Sequence, residues 1–484
     1  AGRWGGQGRD ALGVDGEVEA DQLRAVLEGR HPVSGVVLGR AFGEASARGF
    51  DATFSAPKSV SVLWALTPDR WVRAEVLAAH DTAVDAALGW FERQGGVTRR
   101  GTDGIHQVDT QGVTVAVFRQ HTSRTVDPQL HTHAVIAAKV QDPTGRWLSL
   151  DARFLKYQQR TIGWIYDAAL RSELTHRLGL SWEPLPDRLG QSDLSCIPEA
   201  VRGVFSQRAA QVAAKRDELI QRWMLDHDRL EPDPKTIARL ERAAVFASRP
   251  GKTHGIPATE LHAEWQTQAA SIGFPTRTLD THHLHTPSPA IEVDERAVVA
   301  EALRLVSGES ATWLPPDLAR HITTLLPPQA AHTATELVAV VDRITAMALE
   351  RCVELHPTLT GALRRDGRPV AEHVTDRHLT TREVLAQEQR LQDWARTHAH
   401  GPPTDIEDPQ TEAARAIAGT STLVVVVGPA GTGKTHTTAR AIQDLHAQGR
   451  TVVGLAPSGK AADVPPHEAG CPTDSLAGFL TRHH

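Results

Sequence analysis

The chain has 484 residues, enough for two or three domains that each bury a core, and its 40% hydrophobic and 23% charged content excludes a disordered or fibrous protein. The formal charge of −6 is a global sum that can hide a local positive face, so it excludes no nucleic-acid partner. The apolar run Leu423 to Val427 is too short to span a bilayer and the opening AGRWGGQGRD lacks a signal-peptide core, so a soluble cytoplasmic protein with no membrane segment is expected.

In chain order, a glycine-rich opening leads to a short helix over Asp21 to Leu27. Gly49 to Leu66 alternates around Phe50, Ala52 and Phe54, breaks at Pro57 and resumes as an apolar stretch. That pattern predicts a strand, a turn and the start of a helix packed on the sheet. Pro68 to Gln94 carries Val72, Val76, Leu77, Val84, Leu88 and Phe91 at helical spacing, which suits a helix covering that sheet. Valines 113, 115 and 117 recur with a period of two, His133 to Val140 is a second strand candidate, and Asp142-Pro143-Thr144-Gly145 is a turn. Phe154 to Leu178 reads as a long amphipathic helix, and an antiparallel sheet backed by helices is the economical arrangement. From about Glu183 the texture becomes helical, with Gln207 to Leu225 and Lys235 to Ala247 separated by proline-rich connections. A capping box is expected at Thr380, with Glu383 three residues on. Gly401 to Gln410 reads as a boundary.

Only Cys196, Cys352 and Cys471 occur, too widely spaced for a zinc knuckle, so a metal would have to come to nitrogen and oxygen ligands. His131 and His133 stand two apart on a strand and point to one face, where two imidazoles can bind one divalent ion. A third ligand must come from a neighbouring strand, and His121 lies ten residues before His131. A lone H-x-H is a weak signal; the added histidine and the loop residues Arg124, Asp127 and Pro128 strengthen it.

Trp4-Gly5-Gly6 leading to Leu12-Gly13, Asp51 to Ser61 (DATFSAPKSVS), Thr122 to His133 (TSRTVDPQLHTH), Gly145-Arg146-Trp147, and Tyr166 with Leu170 together resemble the relaxase domain of the conjugative relaxase-helicase family, of the histidine-hydrophobic-histidine type. The resemblance covers roughly the first 180 residues. It implies an α+β fold with an antiparallel five-stranded sheet, and a divalent metal (Mg, Mn or Zn) gripping the scissile phosphate of a single-stranded plasmid origin DNA. A cation on the phosphate oxygens stabilises the charge that develops in the transition state, and a covalent phosphotyrosine keeps the bond energy for rejoining. Carried over by position, His131 and His133 are two metal ligands, and Asp51 is the acid that hydrogen-bonds a ligand histidine. Lys58 and Arg124 are candidate DNA contacts. Conjugation accessory and coupling proteins are the implied partners.

Two departures stand out. Where many relatives have a histidine two residues before Thr-Ser-Arg, this chain has Gln120, followed by His121. Adjacent residues on a regular strand face opposite ways, so His121 is the third ligand only if the strand ends or bulges there; otherwise Gln120 or water takes that place. The family's nucleophilic tyrosine is also missing, since the two tyrosines, Tyr157 and Tyr166, fall in the long helix. The resemblance implies that it lies upstream of Ala1.

Farther along, LVVVVGPAGTGKTHTT (Leu423 to Thr438) fits a buried strand, a phosphate loop and a helix. Gly428, Gly431 and Gly433 let backbone N–H groups wrap the phosphates of ATP, Lys434 reaches the β and γ oxygens, and Thr435 offers its hydroxyl to magnesium. Gln410 resembles an adenine-reading residue, and Val452 to Ala462 resembles the second motif of superfamily 1 helicases. No later acidic strand, arginine finger or second motor domain follows, so unwinding by this stretch is not expected. The expected domains are a relaxase domain over 1–250 lacking its tyrosine segment, a mainly helical connecting region over 251–400, and a partial P-loop α/β helicase domain over 401–484. The expected function is site-specific nicking and joining of single-stranded origin DNA, fused to an ATP-binding helicase start. The alternative is a catalytically inactive DNA-binding remnant.

Overall fold

The computed structural model describes residues 2–185, 191–227, 232, 234–251, 256–274, 289–355, 360–398, 408–428, 433–456, 471–476 and 479–480. The chain divides into two compact units, residues 1–208 with 250–384, and residues 209–249 with 385–484.

The first unit is built on a four-stranded antiparallel sheet. Its strands are β1 (Arg3–Gly5), β2 (Gly49–Ser55), β5 (Val115–Thr122) and β6 (Pro128–Ala137), in the order β1-β5-β6-β2. Helices α1 (Ala20–Leu27), α2 (Lys58–Leu66) and α3 (Arg70–Gly95) appear where the apolar periods placed them. The expected sheet of five strands has four among the described residues. The other short strands pair off as separate ribbons: β3 (Val97–Arg100) with β4 (His106–Asp109), and β7 (Lys139–Gln141) with β8 (Trp147–Ser149). The physical reason lies in the turns. Asp142 Oδ1 accepts from Thr144 N, Thr144 Oγ1 and Arg146 N and Gly145 takes a positive φ, which reverses the chain into its own local hairpin.

Strand β6 alternates along its length. Leu130, Thr132, Ala134 and Ile136 are buried, whereas His131, His133 and Val135 are partly exposed. The buried side packs under α2, α3 and α4 (Arg153–Leu178), in a core that includes Val76, Val84, Phe91, Ile165, Leu170 and Leu174. The other side is covered at one end only, by a small cluster of Trp4, Leu12, Val14, Val26, Leu38, Ala116 and Ala137. Gly6 makes that cover possible. Its φ is +78°, and a Cβ there would lie 2.1 Å from the Val113 carbonyl oxygen, so only glycine lets the opening loop lie on β5. Glu92 pins the same loop from below, its Oε1 accepting from Gln7 N at 2.8 Å and Val113 N at 2.9 Å.

Beyond α4, strands β9 (Trp182–Pro184) and β10 (Ser192–Leu194) pair antiparallel, followed by α5 (Glu199–Val204), while α6 (Gln207–His227), from residue 209 on, and α7 (Pro234–Ala247) belong to the second unit. Helices α8 (Ala258–Ser271), α9 (Glu295–Glu309), α10 (Pro315–Leu325) and α11 (Ala334–Leu349) return to the first unit. The stretch through residue 384, expected as part of a separate connecting region, shares the sheet domain's core. Trp90 Nε1 donates to Asp342 at 3.1 Å, Ser172 Oγ to the Ala331 carbonyl at 3.0 Å, and Ala334 N to the buried Glu173 at 2.6 Å. Its proline breaks separate short helices that each bury an apolar stripe on α3 or α4, which the local pattern cannot reveal. Strands β11 (Cys352–Glu354) and β12 (Leu379–Thr381) pair before α12 (Arg382–His398). The cap expected at Thr380 falls one residue later: Thr381 Oγ1 accepts from Val384 N, while Thr380 Oγ1 is drawn to the Ala311 carbonyl.

In the second unit, α13 (Pro409–Ile417), α14 (Lys434–Ala447) and a parallel pair, β13 (Gly454–Ala456) with β14 (Thr473–Ser475), are described. The apolar run Leu423 to Val427 was expected as a buried strand. It is not paired into one, and Val425 and Val427 are 69% and 91% exposed. Strands of parallel sheets are buried under helices on both faces, and the exposure of these valines shows no such cover among the described residues. No helix among the described residues is long and apolar enough to cross a membrane.

Candidate functional site

The uncovered end of the sheet carries the histidine pair. His131 and His133 project from the same side of β6, with ring centroids 5.3 Å apart. Each ring is fixed through Nδ1. His133 Nδ1 lies 2.9 and 3.1 Å from the two carboxylate oxygens of Asp51 on β2 and 3.3 Å from Thr53 Oγ1, and His131 Nδ1 donates to the Gln129 carbonyl at 2.9 Å. Acceptors on Nδ1 fix the proton there and leave the Nε2 lone pair of each ring for an ion, the arrangement that orients ligand histidines. Burial lowers the His131 pKa, against the opposing pull of the Gln129 carbonyl, which favours the neutral form a metal requires.

The sheet register decides between the neighbouring third-ligand candidates. Gln120 on β5 stands directly across from His131, on the same face. The register then shifts before Thr122 pairs with Pro128, so that one residue of β5, His121, faces two of β6. The bulge anticipated as a way for His121 to join the pair is present, but its extra residue is on β6. His121 therefore stays on the helix side, stacked on Trp64 of α2 at 4.8 Å and 12°, with Nε2 buried and without a hydrogen-bond partner. Burial, then Arg119, push its pKa down to about 4. The expected set of His121, His131 and His133 is thus not brought together, and among the described residues no three His, Cys, Asp or Glu side chains form a group able to hold a metal ion. The donors that do fit a divalent ion are two oriented imidazoles, with the Gln120 amide opposite.

Beneath the pair lies a buried polar chain that sequence reasoning missed. Thr132, between the two histidines, bonds His80 Nε2 of α3 at 2.7 Å, and His80 Nδ1 bonds the Tyr166 hydroxyl of α4 at 2.8 Å. His80 is fully buried; burial above all, aided by Arg119, pushes its pKa down to about 3. The available signal was a histidine at position 80 in the stripe Val76, His80, Val84, a polar residue on an apolar face. Tyr166 is buried with its hydroxyl committed to His80, and burial raises its pKa well above the ordinary value; Tyr157 is 61% exposed on α4.

The turn from Ser123 to Asp127 joins β5 to β6 and carries the half-exposed Arg124. Ser123 Oγ accepts from Thr125 N and Asp127 N, each at 3.2 Å. Val126 adopts φ +68°, and its carbonyl accepts from Trp265 Nε1 of α8 at 3.0 Å. Lys58, read as a phosphate contact, donates Nζ to the Pro128 carbonyl at 2.8 Å. Burial pushes its pKa down to about 8, with Asp127 and Asp193 opposing the shift.

In the second unit, Gly433 has φ +77° and opens α14 at Lys434, whose Nζ donates to the Gly428 carbonyl. Gln410, at the start of α13, lies against Gly433: a Cβ on that glycine would meet Gln410 Nε2 at 2.8 Å. Gln410, Gly428, Gly433 and Lys434 are therefore gathered. Gly431, the Thr435 side chain and residues 457–462 of the helicase-like stretch lie outside the described residues.

An α+β unit with paired, oriented histidines at the bare end of an antiparallel sheet, followed by a glycine-lysine loop that opens a helix, defines the class of chain. The sequence profile described as TrwC relaxase matches residues 1–272, and the profile described as AAA domain matches residues 405–484. The chain belongs to the TrwC relaxase family. It is 29% identical over 347 residues to the multifunctional conjugation protein TraI of Escherichia coli; that match covers 68% of this chain and 18% of TraI. Among solved structures, the metal-bound conjugative relaxase TrwC in complex with oriT DNA is 33% identical, with a TM-score of 0.49, covering 57% of this chain and 90% of that one. The metal-free complex is 32% identical, with a TM-score of 0.48, covering 57% and 92%.

Proposed function

We propose that this chain supplies the DNA-gripping face of a conjugative relaxase, holding a single strand of plasmid origin DNA against a divalent ion for cleavage and rejoining of one phosphodiester, joined to the start of an ATP-binding motor. The observation that carries this reading is the pair His131 and His133, each oriented through Nδ1, on the uncovered end of the sheet. A divalent ion there would neutralise the phosphate oxygens and stabilise charge developing at phosphorus. The chain's own residues do the holding: Asp51 keeps His133 in the tautomer that presents Nε2, Gln120 stands across the pair, and Arg124 at the turn offers a cation to the strand's phosphates. In the second unit Lys434 and Gly433 would cradle ATP phosphates, with Gln410 beside them. Conjugation accessory and coupling proteins are the partners, and the cytoplasm the location, that this reading implies.

A second reading, strand binding without cleavage by this stretch, is favoured by the placement of Tyr166, whose hydroxyl is held under the sheet by His80. One experiment separates them. The full chain is incubated with Mn2+ and labelled single-stranded origin oligonucleotides, with electron paramagnetic resonance reporting bound Mn2+, anisotropy reporting DNA, and denaturing gels reporting a covalent adduct. An adduct supports cleavage, and binding alone supports the second reading. If the double variant His131→Ala, His133→Ala keeps full Mn2+ binding, both lose their ion site. Loss of ATP binding on Lys434→Ala checks the motor segment.

A further inference from the structure

A cavity of about 240 Å³ lies in the first unit among the end of α3, the start of α4, helices α10 and α11, and the segment from Arg364 to Arg377. None of its lining residues belongs to the four-stranded sheet, and Trp90, one of its walls, stands ten residues beyond His80 on α3, about 15 Å along the helix. The cavity is therefore separate from the histidine pair. It is smaller than the roughly 300–1,000 Å³ of a drug-sized pocket, which limits an occupant to a small molecule.

One part of the lining is apolar and aromatic. Trp90 and Phe154 are buried with ring centroids 6.2 Å apart, and Pro316 of α10 is buried on the same cavity. The polar part is short of acceptors. The Arg364 side chain is 2% exposed, whereas Asp366, its carboxylate partner at 3.1 Å, is 42% exposed. A buried guanidinium facing a carboxylate in water is incompletely compensated. Arg364 Nη1 donates to the Pro369 carbonyl at 3.0 Å and to that of Glu372. Its Nε, however, is buried without a partner among the described residues, and so is Thr345 Oγ1 of α11. The acids of the lining are already engaged, Asp342 by Trp90 Nε1 and Arg93 and Asp366 by Arg364. What the wall leaves unmet is a guanidinium N–H and a hydroxyl, a pair that suits an anionic oxygen.

We propose that this cavity binds a small organic carboxylate, its oxygens accepting from Arg364 Nε and Thr345 Oγ1 and its flat apolar body lying against Trp90 and Phe154. Inorganic phosphate offers the oxygens without the body, and an aryl alcohol the body without the charge, so neither fills both parts of the lining. An occupant would tie α3 and α4 to α10 and α11 and stabilise the first unit by mass action.

The test titrates 4-fluorophenylacetate into the full chain in EDTA and follows 19F relaxation, with 4-fluorobenzyl alcohol read in the same way and inorganic phosphate read by competition. Wild type is expected to bind 4-fluorophenylacetate with a Kd on the order of 1 mM, and each of the other two about tenfold more weakly or worse. Ala346→Trp, at an exposed position of α11 on the cavity wall, should abolish binding by filling the space. Arg364→Lys, which keeps the charge but loses the planar fork, should weaken it about tenfold, and the exposed control Arg304→Ala should match wild type. Hydrogen exchange of the wild type should slow in peptides covering residues 88–94 and 342–349 when 4-fluorophenylacetate is added, a readout that needs no variant to fold. If 4-fluorophenylacetate does not bind wild type, binds no better than the alcohol or phosphate, binds Ala346→Trp unchanged, or leaves those two peptides unprotected, the assignment falls. The relaxase reading uses none of these residues and stands or falls separately.

Discussion

His80 gives the sheet a predictable acid weakness. Its ring is fully buried between Thr132 and Tyr166, and its pKa falls from 6.5 to about 3, chiefly through burial. The unfolded chain protonates this imidazole near pH 6.5 and the folded chain does not, so between those values the unfolded state binds more protons and stability rises with pH. The contribution is complete above pH 6.5 and is lost progressively as pH falls toward 3. At pH 5 the unfolded histidine gains about 1.5 units of protonation free energy that the folded one does not, a loss of about 2 kcal/mol. Because the chain has two units and a global transition would mix them, hydrogen exchange should be followed in peptides covering residues 76–90 and 128–137, corrected for intrinsic rates, from pH 7.5 to 5. His80→Gln keeps a donor and an acceptor but cannot titrate. It should be the less stable form at pH 7.5 and lose its disadvantage by pH 5. Parallel pH profiles for the two proteins would refute the argument.

Restoring an imidazole at the place across from His131, by Gln120→His, should tighten Mn2+ binding by on the order of tenfold or more, read from free Mn2+ by electron paramagnetic resonance; unchanged affinity would mean that the face opposite the pair does not touch the ion. Val126→Gly removes a β-branched residue from φ +68°, and the relief outweighs the entropy gained by the unfolded chain, for a net gain of about 1 kcal/mol; a lowered melting temperature would argue against strain at this turn. Glu92→Ala strips the acceptor from Gln7 N and Val113 N, at a cost of about 3 kcal/mol, with faster exchange of those two amides as the specific sign.

The parts of the fold carried by local period were legible. Val72, Val76 and Val84 gave α3, the alternation around Phe50 and Phe54 gave β2, and Pro57 marked the break before α2. That His131 and His133 share one face was legible too, because side chains two apart on a strand point the same way, whereas Asp51 was reached through the resemblance and not from the spacing of the pair. What escaped depends on contacts far apart in the sequence. The choice between Gln120 and His121 rests on a register shift against β6, set by which of Gln129 and Leu130 the bulge absorbs, and no feature of residues 115–122 encodes that. The helical stretch through residue 384 joins the first unit through Asp342, Ala331 and Ala334, whose partners Trp90, Ser172 and Glu173 lie more than 150 residues earlier. In the second unit the Leu423 to Val427 run has the composition of a buried strand, but composition cannot supply the neighbours that would pair it.

Strand β6 also explains why a buried histidine sits under the proposed ion site. Side chains on a strand alternate, so a slip of one residue would turn His131 and His133 into the core and bring Thr132 to the surface. Burial of Leu130, Ala134 and Ile136 already opposes such a slip. A buried hydroxyl with one directional partner specifies the register strongly: moving Thr132 away leaves the buried His80 Nε2 without its partner, at a cost on the order of 1–3 kcal/mol. The chain Tyr166–His80–Thr132 thus locks the register that presents the imidazoles, and the acid sensitivity of His80 follows from the same burial. On this argument Thr132→Val, nearly isosteric, should leave the sheet folded yet loosen Mn2+ binding, and Thr132→Ser should restore it; equal affinities for all three would mean that packing alone sets the register.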